Sequence, residues 1–82
     1  MLAQTLRGVA DAVRSGRRDW QALEQQADQK LQAHGWAPDY VALRLREGLA
    51  LPSSDATVAA GSMVVLAAAK LGRTRLIDNL EI

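Results

Sequence analysis

Two apolar stripes at helical spacing, set back to back, constrain this chain more than any other feature. Leu2, Leu6, Val9 and Val13 recur every three or four residues, which puts them on one face of a helix over residues 2–15. Gln4, Arg7, Asp11 and Arg14 fall largely outside that stripe. Gly8 weakens the helix by about 1 kcal/mol relative to Ala, which makes it a candidate for a close backbone contact. Gly16 is a natural stop, and Arg14, Arg17 and Arg18 surround an end where the helix dipole favours cations. Asp19 reads as the N-cap of a second helix. Trp20, Leu23, Ala27 and Leu31 carry that helix's apolar face to an end near His34, with Gly35 as cap. So short a connection predicts an antiparallel helix hairpin.

After Pro38 the period changes. From Tyr40 to Leu45, residues Val41, Leu43 and Leu45 alternate with Tyr40, Ala42 and Arg44, the pattern of a half-buried strand. Residues 47–61 hold Gly48, Pro52, Ser53, Ser54 and Asp55 and read as a loop. Met63 to Leu71 is nearly all apolar; Val64, Val65 and the flanking glycines favour a central strand, while Ala67, Ala68 and Ala69 leave a helix open. Gly72 supplies a turn, and Thr74 to Leu80 alternates again. The order helix, helix, strand, strand, strand predicts an α+β domain: a helix hairpin on one face of a three-stranded, mainly antiparallel sheet.

The chain's 82 residues suffice for one small domain. There is no cysteine, so neither disulfides nor thiolate metal sites enter. The apolar runs are too short to span a bilayer, and the start lacks the layout of a signal peptide. A cytoplasmic setting is the expectation. The net charge of +1 carries no basic surplus of the kind nucleic-acid binders concentrate.

Few residues suggest chemistry. His34 is the only histidine and has no partner at metal-ligand spacing, so it reads as a surface residue at a helix end, and no metal site is expected. Ser53, Ser54 and Asp55 lack the glycines and lysine of a phosphate cradle and read as a polar loop. The Arg14, Arg17 and Arg18 cluster would serve a helix-turn-helix, but the second helix is rich in Gln and Asp, and dipole-complementing arginines explain it. Trp20, Trp36 and Tyr40 are too sparse for a base-stacking platform, and Trp20 is in register with the core. Lys70, Arg73 and Arg75 cluster around the final hairpin with Asp78 and Asn79. They read either as turn residues in surface ion pairs or as cations facing an anionic ligand or a neighbouring domain. No catalytic residue is expected here.

The string Leu71-Gly72-Arg73-Thr74-Arg75-Leu76-Ile77-Asp78-Asn79 resembles the C-terminal end of the pantoate–β-alanine ligases. The segment Pro38-Asp39-Tyr40-Val41 with Arg44 is similar to that family's Pro-Asp-Tyr strand, and the two amphipathic helices fit the same domain in pattern. The family continues differently after the arginine, where this chain has Leu45-Arg46-Glu47-Gly48-Leu49.

The resemblance implies that residues 1–82 are a C-terminal lid domain, with a Rossmann-like N-terminal catalytic domain absent. The family's ATP-binding His-x-Gly-His motif and its Met-Ser-Ser-Arg-Asn-like loop are not in this sequence. It further implies ATP and magnesium for the full enzyme, none of them held by this segment alone. The substrates would be ATP, pantoate and β-alanine, joined through a pantoyl adenylate in pantothenate biosynthesis. The partner would be the enzyme's own N-terminal domain, the full enzyme a homodimer, and the isolated segment inactive. The competing expectation is a stand-alone helix-hairpin module that binds nucleic acid or a protein.

Overall fold

Helix α1 (Leu2–Arg14) turns Leu2, Leu6, Val9, Ala10 and Val13 inward, the stripe expected from their spacing plus Ala10. Thr5 is buried with them. Helix α2 (Trp20–Ala33) buries Trp20, Leu23, Ala27 and Leu31. The computed structural model describes residues 2–52 and 61–82. Three strands follow: β1 (Ala37–Leu45), β2 (Met63–Leu71) and β3 (Thr74–Glu81). They form one sheet in the order β1-β2-β3, with both pairings antiparallel. The fold is therefore α+β, two helices on a three-stranded antiparallel sheet.

Both helices lie on one face. Helix α1 packs on β2 and β3, and α2 packs on β1. From the sheet, Val41 and Leu43 join Met63, Val65, Ala67 and Ala69 in the core beneath the helices. Trp36 and Ile82 close its two ends and are both buried. Ladder pairing with β1 on one side and β3 on the other makes this segment strand throughout, and its three alanines are fully buried. Small side chains in the middle strand let the helices approach the sheet closely.

Three local expectations are corrected. Asp19 stands at the N-cap of α2 but makes no side-chain capping bond. Its carboxylate is taken by Arg17 instead, a charge-assisted partner stronger than a backbone amide. A Cβ added at Gly8 would meet nothing within 4 Å, so no close contact requires the glycine. Strand β1 begins at Ala37 rather than Tyr40. Pro38 is accommodated because β1 is an edge strand, where a missing N–H costs no ladder bond. The register shifts between Pro38 and Tyr40, which leaves Asp39 as the extra residue of a bulge.

A two-residue turn joins β2 to β3, with Gly72 taking a φ of 63° at its first position. At the sheet's other end Arg46 acts as a clamp. Its Nη1 donates to the Gly61 carbonyl at 3.0 Å and its Nη2 meets Glu81 Oε1 at 3.2 Å.

Candidate functional site

The alternation that sends Met63, Val65, Ala67 and Ala69 to the helices sends Val64, Leu66, Ala68 and Lys70 to the opposite, open face of the sheet. Direct pairing then places the neighbours. Tyr40 and Ile77 flank Ala68, and Arg75 lies directly across from Lys70. Ala68 is itself fully buried, whereas Ile77 is 65% exposed. The open face thus has an apolar centre and a basic end at the hairpin, where Arg73 occupies the turn.

The basic end is an uneven arrangement. Like charges directly opposite on neighbouring strands destabilise a sheet, and Lys70 and Arg75 are such a pair. One carboxylate offsets them: Asp39, from the bulge in β1, accepts a hydrogen bond from Arg75 Nε at 2.8 Å. The contact spans from one edge strand to the other, over β2. Lys70 and Arg73 are exposed and form no ion pair with any described residue. The three candidates Lys70, Arg73 and Arg75 are therefore brought to one corner. Asp78, which the alternation places on the other face, pairs with none of them and accepts a bond from the Asn79 amide. Sequence reasoning missed Asp39; only the proline beside it hints at an irregular strand.

Chemically, this corner suits an anion. Guanidinium forks and an ammonium match phosphate or carboxylate oxygens. It does not fit a cation: among the described residues, no group of three or more His, Asp or Glu could hold a metal ion.

The other candidates stay apart. His34 is exposed at the end of α2, its Nδ1 2.9 Å from the Lys30 carbonyl oxygen. The arginine cluster is spent locally: Arg17 on Asp19, Arg14 on Asp11 and on the Glu81 carbonyl, and Arg18 on the Val13 carbonyl and the face of Trp20, 5.7 Å from the ring centre. Asp19 is held below the usual carboxylate range, first by the hydrogen bond from Arg17. The Ser53, Ser54 and Asp55 segment lies outside the described residues. Between α1 and α2 runs a shallow groove of about 190 Å³ floored by Gly8, Ala12 and Ala27. A wider polar groove separates α2 from the edge of β1. Among the described residues, no helix is long and apolar enough to cross a membrane.

The family model described as pantoate-beta-alanine ligase matches residues 1–81, essentially the whole sequence. The open sheet face with its cationic hairpin and the helix pair behind it thus sit on a chain that belongs to the pantoate-β-alanine ligase family, whose members act in pantothenate biosynthesis.

Proposed function

We propose that this domain is the lid of an ATP-dependent pantoate–β-alanine ligase, closing over a catalytic domain that holds ATP and pantoate. The observation that carries the reading is the undercompensated basic corner, where Lys70 and Arg75 face each other with Arg73 beyond and Asp39 is the one carboxylate paired there. A small domain that keeps like charges opposed across two strands gives up stability there, a local conflict of the kind found at functional sites.

In this reading the corner meets the anionic groups of the reaction. Pantoate carboxylate attacks the α-phosphorus of ATP, pyrophosphate leaves, and the amine of β-alanine then displaces AMP from the acyl adenylate. Two needs follow. The leaving pyrophosphate and the adenylate carry negative charge that cations stabilise, more strongly once water is excluded. The acyl adenylate is open to hydrolysis, so a cover over it protects the intermediate. The domain supplies both the cations and, through Tyr40, Leu66 and Ile77, an apolar surface that can seal against the catalytic domain. The domain by itself then makes no pantothenate.

The test is substitution in a ligase carrying this domain. Arg73→Ala and Arg75→Ala are each expected to lower turnover about tenfold, roughly 1.4 kcal/mol of lost transition-state stabilisation, with the fold intact. Unchanged turnover in both variants sinks the reading.

A further inference from the structure

We infer that Asp39 is a positioning residue that aims Arg75 at an anionic group on the open face of the sheet. The inference rests on the lid reading of the basic corner and adds to it a residue from another strand.

The geometry has three parts. Asp39 lies at the register shift of β1, and a bulge re-aims a side chain that a regular strand would direct elsewhere. Its Oδ2 takes Arg75 through Nε alone, at 2.8 Å. A carboxylate that merely neutralised the arginine would gain most by gripping two nitrogens of the fork. Holding Nε instead leaves the Nη1 and Nη2 edge without a partner among the described residues, with Lys70 on the adjacent strand. An arginine fixed along one edge of its planar group presents the other edge in a set direction, so less freedom is lost when two oxygens of a phosphate or carboxylate dock there.

A charge-only role predicts the opposite sign from a positioning role. If Asp39 acts only as a negative charge, any neutral replacement strengthens anion binding. If it positions, the replacement must still accept the Nε hydrogen bond. Asp39→Asn keeps an acceptor oxygen and removes the charge; Asp39→Ala removes both.

The experiment titrates sodium tripolyphosphate into the 82-residue chain at low ionic strength, where such contacts are least screened. Backbone amides and the Arg75 Nε–Hε resonance are followed by NMR. Positioning predicts that Asp39→Asn binds at least as tightly as the unaltered chain. Asp39→Ala binds about two- to fivefold more weakly than either, as expected for losing one exposed charge-assisted contact. The Arg75 Hε signal is retained in the Asn variant and lost to exchange in the Ala variant. Asp39→Ala binding as tightly as Asp39→Asn overturns the positioning role while leaving the basic corner in place. Unchanged binding in Arg75→Ala, or no binding by the unaltered chain, overturns the corner itself and the inference with it. Rapid exchange of Arg75 Hε in the unaltered chain also overturns the inference, whatever the variants do.

Discussion

The Glu24 carboxylate, on α2, accepts a hydrogen bond from the backbone N–H of Leu43 at 2.7 Å, so a helix side chain satisfies an amide of the edge strand beside it. The same Oε2 lies 3.5 Å from Arg44 Nη1. Glu24 is 24% exposed and Arg44 29%, so the charge is partly shielded and the contact counts for more than a surface ion pair. Two residues further along, the Leu45 amide is satisfied by the Ala50 carbonyl at 2.8 Å. These contacts cover the β1 edge, which would otherwise invite pairing with another chain.

Removing that acceptor should be felt across the helix–sheet contact. Glu24→Ala is expected to destabilise the domain by about 1–2 kcal/mol, the range for a charge-assisted bond with partial exposure. Glu24→Gln, which can still accept from the Leu43 amide, should lose about half as much. Urea denaturation at neutral pH measures both. Equal losses would mean that only the charge on Arg44 matters.

Glycine and alanine give opposite predictions at two sites. Gly8 is inside α1, nothing lies within 4 Å of an added Cβ, and its φ is ordinary for a helix. Gly8→Ala should therefore stabilise by about 0.5–1 kcal/mol. Ala67 is fully buried between the sheet and the helices. Ala67→Leu should destabilise by about 1–3 kcal/mol through overpacking. Thermal unfolding separates the two: the first raises the midpoint and the second lowers it.

The Arg17–Asp19 pair makes a pH prediction. Hydrogen bonding from Arg17, at 3.1 Å from Nε to Oδ1, lowers the Asp19 pKa in the folded state. A depressed carboxylate pKa contributes stability that is fully present above the unfolded value of about 3.9 and is lost as pH falls through the folded value. Asp19→Asn should therefore flatten the dependence of stability on pH below about 4 and leave it unchanged between about pH 6 and 8. Urea midpoints measured across that range check it; an unchanged slope in the variant would show that the pair does not survive in solution.

The elements themselves were legible because each signal was local. Leu2, Leu6, Val9 and Val13 repeat at the helical period, Val41, Leu43 and Leu45 at the strand period, and Gly72 sits where a tight turn needs a positive φ. What could not be read depended on register or on competition between partners. Asp19 looked like a cap, but Arg17 two residues away competes successfully with the helix amides. Pro38 looked like a boundary, yet an edge strand absorbs it. The corner residues Lys70, Arg73 and Arg75 were visible as a cluster in sequence. Asp39 was not, because its meeting with Arg75 across 36 positions depends on two strand registers and a bulge. Ile82 continues the alternation of Leu76, Asp78 and Leu80 and is buried, although it lies beyond the last strand residue.

The central claim is that this domain covers the reaction and stabilises its anions. The most direct measurement is the amount of AMP released for each pantothenate made by a ligase carrying this domain, with and without the Arg73→Ala and Arg75→Ala substitutions together. The account predicts equal amounts in the unaltered enzyme and an excess of AMP in the doubly substituted one, because a loosened cover lets water take the adenylate. Equal amounts in both enzymes, at undiminished turnover, would contradict it.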